Sequence, residues 1–200
     1  MNGKFFDLKK EKQDRMINAA LKVFALQGYR HASTDDMVRE AGISKGLLFH
    51  YFGSKIGVYK FVYDYSVRYM MLELGAVPAD ETDLFAIVKY AEAARMRAMR
   101  GYPYMQQFLN RSMTEDVSEA LMAIEDKRNT LLACYEDLYS RADYTLLPQG
   151  TDGKKLLKII DYTIKGLMTE RFLDASFQPE MLYEEICSYL DMLQEVIYQK

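Results

Sequence analysis

TDDMVREAGISKGLLFHYFGSK, residues 34–55, reads as a helix, a tight turn, a second helix and the opening of a third. Thr34 is predicted to cap the first helix, with Asp35 and Asp36 in its first turn, where the helix dipole favours negative charge. Met37, Val38 and Ala41 supply an apolar stripe. Gly42 ends the helix, because glycine takes the left-handed conformation at little cost. Ile43 reads as a buried turn residue and Ser44 as the cap of the second helix, roughly Lys45 to Phe52. Leu48 and Phe52, four residues apart, share the inner face of that helix. Gly53 and Ser54 break and recap the chain, and Lys55 opens the next helix.

Two helices joined by a short glycine-containing turn have the shape of a helix-turn-helix, whose second helix lies in the DNA major groove. An ordinary helical hairpin has the same spacing. Two details favour DNA. Gly46, a poor helix former, stands on the outward face, where a purely structural helix would gain from alanine. The same face carries Lys45 and His50, with Lys55 just beyond.

The surrounding sequence extends the pattern. Ala19-Ala20-Leu21-Lys22-Val23-Phe24 with Gly28-Tyr29, then Ser33 to Met37, then Ala41 to Phe52 with Ser54-Lys55, resembles the N-terminal domain of TetR-family transcriptional repressors over roughly residues 10 to 60. The rest of the chain shares only that family's all-helical character. The resemblance implies backbone-phosphate contacts from Thr34, Ser44, Tyr51 and Lys55. Lys45 and His50 have the chemistry to reach guanine acceptors, while Gly46 and Leu47 would sit against base edges. Phe49 departs from the family, where tyrosine is frequent, so one phosphate bond is missing and Phe49 reads as a packing residue or a thymine-methyl contact. Gly57 also departs, since the family more often has an acid there.

Composition agrees with a folded chain: half of the 200 residues are hydrophobic and 28% are charged, which excludes a disordered polymer. No apolar run approaches the roughly 18 residues that a membrane span needs. The N-terminus lacks a signal-peptide core. Cys134 and Cys187 stand in no metal spacing, and a reduced, cytoplasmic protein without a membrane partner is the expectation. Residues 1–60 hold 11 Lys and Arg against 6 Asp and Glu, and the remainder holds 15 against 23. A basic head on an acidic body is the footprint of a DNA-binding module joined to something else.

Taken in order, residues 1–8 read as a frayed leader. A first amphipathic helix from Lys9 to Gln27 follows, with Ile17, Ala20, Leu21 and Phe24 on one face and Gly28 as its stop. A long helix runs from Ser54 to Leu74. Further helices are expected over Asp80 to Arg100, Tyr104 to Arg111, Glu115 to Ser140, Asp152 to Ala175 and Pro179 to Tyr198. The fold class is therefore all-α, about nine helices: a three-helix helix-turn-helix domain over residues 1–55 and a helical ligand-binding and dimerisation bundle over 56–200. The last two helices spread apolar residues over a wider arc than one-sided packing needs. A homodimer through about 152–175 and 179–198 is expected from this.

Catalysis finds no support in motif: there is no nucleophile elbow, Walker loop, dinucleotide glycine pattern or HExxH. No enzyme activity, cofactor or metal is expected. The body is rich in tyrosine and methionine, which suit core filling and equally a cavity for a flat or greasy molecule. The family resemblance implies such an effector pocket, apolar or aromatic in preference. Tyr65, Tyr69, Tyr90, Phe108, Met113, Tyr135 and Met168 are its expected lining, and Glu92, Arg95 and Glu170 leave the charge of the effector open. The reading is a ligand-responsive repressor that binds a palindromic, double-stranded operator as a homodimer. The alternatives are a helical small-molecule-binding protein or enzyme with a non-functional DNA head, and an architectural protein that uses the basic head without sequence preference.

Overall fold

The computed structural model describes residues 3–174 and 176–198. Among them are ten α-helices, one 3-10 turn and no strand: α1 Gly3–Phe6, α2 Lys10–His31, α3 Thr34–Ala41, α4 Lys45–Phe52, α5 Lys55–Leu74, α6 Leu84–Gly101, α7 Met105–Ser112, α8 Ser118–Ser140, the turn Tyr144–Leu146, α9 Gly153–Arg171 and α10 Pro179–Tyr198. The all-helical expectation holds. The chain forms two compact units, Met1–Met70 with Gly101–Leu132, and Met71–Arg100 with Ala133–Lys200.

In the first unit, α2 packs against α3 and α7, and α3 packs on α4. Its core is aromatic. Phe24, Tyr59 and Phe108 are fully buried, with ring centroids 4.9 Å apart for Phe24–Tyr59 and 5.5 Å for Tyr59–Phe108. Edge-to-face pairs at such separations add to simple area burial. Gly28 takes φ 68 and ψ 173 and breaks α2 three residues before its end, as the sequence suggested.

The leader is not frayed over the described residues. Phe5 on α1 is fully buried, its ring 5.3 Å from Phe52, 4.9 Å from Phe61 and 5.7 Å from Tyr51. The Gln13 amide donates to the carbonyls of Phe6 (3.1 Å) and Leu8 (2.8 Å), which holds the turn between α1 and α2 closed. Met1 and Asn2 lie outside the described residues.

Several helices start later than their periodicity suggests, because an acid caps them. Glu115 accepts from the N–H groups of Asp116 and Val117, which holds the turn ahead of α8, and α8 begins at Ser118. Asp83 accepts from Ala86 N–H at 2.8 Å, so α6 begins at Leu84. Asp152 caps α9 through Lys155 N–H.

In the second unit, α9 packs on α10. The Arg171 guanidinium donates to both carboxylate oxygens of Glu185, each at 2.7 Å. This bidentate pair fixes the end of α9 against α10. α9 ends at Arg171, short of the expected Ala175, which lies outside the described residues. Between the two helices runs an apolar seam that includes Ile164, Leu167, Ile186 and Leu190. No described helix is long and apolar enough to cross a membrane.

Because Phe5 fills a slot between α4 and α5, Phe5→Ala is expected to lower the unfolding free energy by about 3–5 kcal/mol. Urea denaturation measures this, and a frayed leader would give no change.

Candidate nucleic-acid interface

The interface is built on α3 and α4. Ser33, in extended backbone, caps α3: its Oγ accepts from Asp35 N–H at 3.1 Å. The cap thus falls one residue before Thr34, which becomes the first helical residue and is half-buried. Gly42 takes φ 63 and ψ 42, the left-handed conformation, and its N–H and that of Ile43 close the end of α3. Ile43 is half-buried rather than buried. Ser44 caps α4, its Oγ accepting from Leu47 N–H at 3.2 Å.

Leu48 anchors α4 to the core, and Phe52 joins it through Phe61, 4.8 Å away. Ser44, Lys45, Gly46 and His50 are exposed, while Leu47, Phe49 and Tyr51 are half-buried. A Cβ added at Gly46 would meet nothing within 4 Å, so no internal contact requires this glycine. The Lys45 ammonium pairs with Asp35 of α3 at 2.8 Å, both side chains largely solvated. Such a pair is weak and easily exchanged for another anion. His50 stacks edge-on with Tyr51 at 5.0 Å.

Lys55 has a different place from the expected phosphate contact. Its ammonium donates to the carbonyls of Tyr29 (2.8 Å), Ala32 (3.1 Å) and Arg30 (3.4 Å). It also stands 4.5 Å from the centre of the Tyr29 ring. The break at Gly28 leaves these carbonyls without helical partners, and a cation is their natural substitute. Acids hold the other side of the same turn: Tyr29 N–H donates to Glu115 at 3.0 Å and its hydroxyl to Glu119 at 3.0 Å. Burial and then Glu119 push the Tyr29 phenol up to about 12. Gly57 also finds its reason here. A side chain at that position would overlap the carbonyl oxygen of Phe52, so the glycine lets the end of α4 lie against the first turn of α5.

The expected effector residues do not gather at one site. Tyr65, Tyr69, Phe108 and Met113 belong to the first unit, and Tyr90, Tyr135 and Met168 to the second. Phe108 and Met168 are buried core residues, whereas Met113 and Tyr90 are exposed. Tyr65 and Tyr69 pack on Tyr102, and the Tyr65 and Tyr102 hydroxyls lie 2.5 Å apart. Tyr135 accepts from Arg95 Nε at 3.1 Å.

A cleft of about 240 Å³ lies within the second unit, between α6, α8 and α9. Val88, Leu157, Ile160 and Ile164 form its apolar walls, and Glu92, Arg95, Tyr139, Lys154, Lys158 and Asp161 its polar ones. None of the seven residues expected from the sequence lines it. Glu92 and Arg95, whose orientation the sequence left open, both face this cleft and are ion-paired with each other. Burial pushes the Glu92 carboxyl up, against the pull of Arg95. Among the described residues no cluster of His, Cys, Asp and Glu could hold a metal ion.

A short helix capped by serine, anchored by Leu48 and held outward on a glycine turn defines a helix-turn-helix protein. Residues 16–60 match the family described as bacterial regulatory proteins, tetR family. The regulator TtgW of Pseudomonas putida is 38% identical over 69 residues, 34% of this chain and 50% of its own length. YuxN of Bacillus subtilis is 46% identical over 46 residues, 23% of this chain and 16% of its own. The chain thus spans half or less of these relatives. IcaR of Staphylococcus aureus, a negative regulator of a biofilm operon, is 25% identical over 66% of this chain and 85% of its own. In fold, the chain resembles a TetR-family regulator from Chloroflexus aurantiacus (20% identity, TM-score 0.68, covering 98% of this chain and 95% of that one). It also resembles the fatty acid degradation regulator FadR from Bacillus halodurans (18% identity, TM-score 0.62, covering 88% and 96%). Residues 16–60 thus match the tetR family, and the fold of the chain resembles that of solved TetR-family regulators.

Gly46→Ala is expected to leave stability unchanged or raise it by up to ~1 kcal/mol, yet to weaken specific DNA binding about tenfold, an added methyl at a base edge costing roughly one good contact. Denaturation and gel-shift titration on the same sample separate the two effects. Lys55→Met is expected to cost about 2 kcal/mol, the worth of hydrogen bonds to a charged group. Its DNA affinity should fall even after correction for the unfolded fraction.

Proposed function

We propose that this chain is a ligand-responsive repressor that binds a palindromic operator as a homodimer. Residues 1–55 act as the DNA-binding module, and 56–200 carry ligand binding and dimerisation. The observation that carries the reading is α4. Its outer face offers Lys45, Gly46 and His50 to solvent, with no contact that requires the glycine. Lys45 and His50 read guanine, Gly46 and Leu47 approach base edges, and Phe49 meets thymine methyls. Thr34, Ser44 and Tyr51 hold phosphates. Lys55 acts from behind, through the carbonyls of the α2 end.

The dimer uses the outer faces of α9 and α10. Ile159, Tyr162, Met192 and Val196 are more than half exposed there, an apolar surface that a second copy would cover. The repressor sign draws support from the resemblance to IcaR, itself a negative regulator. An effector in the second unit acts by preferring the dimer whose recognition helices do not fit the operator, since equal affinity for both states would shift nothing. The continuous helices α5 and α8 carry that preference toward α4. The working compartment is the cytoplasm, where the DNA is, and the chain works as a regulator and not a catalyst.

Selection of bound fragments from random duplex DNA is expected to return a palindrome with half-sites about one helical turn apart or somewhat more. Fragments without symmetry, or binding no tighter than to random duplex, contradict the reading. Ile159→Asp, at an exposed position, should keep the fold but sediment as a monomer. Its operator affinity should fall by at least roughly a hundredfold, because the second half-site no longer adds avidity.

A further inference from the structure

The cleft between α6, α8 and α9 carries more information than its volume. Glu92 is buried, its side chain only 1% exposed. One carboxylate oxygen pairs with Arg95, and the other, Oε2, is buried without a hydrogen-bond partner. A buried acceptor left unmade is costly, so it selects an occupant that donates. Arg95, itself only 15% exposed, already neutralises the Glu92 charge. A cationic donor would place a second positive charge beside that guanidinium and is disfavoured. An uncharged hydroxyl or amide N–H adds the missing bond without burying net charge.

The mouth of the cleft has the opposite demand. Lys154 and Lys158 are exposed, one helical turn apart on α9, and neither forms an ion pair among the described residues. Asp161, an acid on the same wall, is engaged by Lys165 at 2.6 Å. Lys158 also stands 5.6 Å from the centre of the Tyr162 ring, a contact that leaves its charge without a counter-ion, and two such ammonium groups on one side of an opening attract an acid group. Between the mouth and Glu92 the walls are Val88, Leu157, Ile160 and Ile164. At about 240 Å³ the space is smaller than the pockets that take drug-sized ligands.

We propose that this cleft binds a small organic acid with an apolar body and an uncharged hydroxyl or amide donor at its inner end, the donor on Glu92 Oε2 and the acid group on Lys154 and Lys158. This deepens the ligand-responsive reading and rests on it for the regulatory consequence, but not for the binding itself. The polar ends set selectivity, and the aliphatic walls supply most of the affinity. A plain hydrocarbon would leave Glu92 unsatisfied, and a simple amine would meet three cations.

The test is titration calorimetry of the full-length protein with para-hydroxyphenylpropionate, phenylpropionate and para-hydroxyphenylpropanol, which differ by one polar end each. The hydroxy acid is expected to bind at least about tenfold more tightly than either analogue. In the Lys154→Gln/Lys158→Gln variant, whose changes are exposed and leave the core intact, the advantage over the alcohol should vanish. In Glu92→Gln the advantage over phenylpropionate should shrink. Equal binding of all three probes, or no binding at millimolar concentration, overturns the proposal. So does a lysine variant that keeps its preference for the acid, since the acid group would then sit on Arg95. Affinity for selected operator DNA, measured without probe, separates the outcomes. A protein that binds its operator but no probe sinks only the cleft assignment, and one that binds probe but no operator sinks the regulator reading.

Discussion

The Lys55 ammonium, lodged among the carbonyls of Tyr29, Arg30 and Ala32, is the interaction on which the helix-turn-helix depends. Gly28 makes it possible. Its positive φ breaks α2 early and frees carbonyls that a continuing helix would have used. Lys55 is the first residue of α5, so one charge joins the end of α2 to the start of α5. The chain between those points is α3, the turn and α4. That segment is a closed loop with both ends fixed at a single place, and the orientation of α4 follows. Hydrogen bonds to a charged donor are about twice as strong as neutral ones, and the Tyr29 ring adds a cation–π contact.

The same turn is gripped from its other side by α8 and the segment before it. Glu115 holds the Tyr29 N–H, Glu119 its hydroxyl, and Asp116 the Arg30 guanidinium at 3.1 Å. The Arg111 guanidinium comes within 3.2 Å of where a Cβ at Gly28 would stand. The compact unit that holds α4 therefore takes in Gly101–Leu132 as well as the N-terminal helices. Any movement of α7 or the start of α8 reaches the Gly28–Ala32 turn through acids bonded directly to it. Charged hydrogen bonds and the buried Phe24–Phe108 contact between α2 and α7 together make that link.

Much of this was legible in the sequence, and the rest shows why it was not. The bounds of α4 and α10, the left-handed Gly42 and the Ser44 cap follow from capping chemistry and breakers, which are local. The α3 cap fell on Ser33 rather than Thr34 because both side chains can cap and only the backbone dihedral decides. Helix α1 carries no period to read in four residues, so Phe5 looked solvated. From the sequence Lys55 reads as a phosphate contact, because only the fold brings the carbonyls of Tyr29, Arg30 and Ala32 beside it. The body tyrosines and methionines are spread over both units, because residue type says what can line a cavity and not which helix faces meet. Glu92 and Arg95 did leave a signal, an acid and a base three apart on an otherwise alanine-rich helix. That spacing marks a pair on one face but is silent on whether the face is wet.

The central claim is that Lys55 aims α4 at DNA from inside the protein while Lys45 reads from outside. A crystal structure of the protein on its selected operator tests this most directly. The account predicts α4 in the major groove, Lys45 released from Asp35 onto a base or phosphate, and the Lys55 ammonium still on the carbonyls of Tyr29 and Ala32. Lys55 found on a phosphate with those carbonyls abandoned, or α4 lying away from the groove, would contradict it.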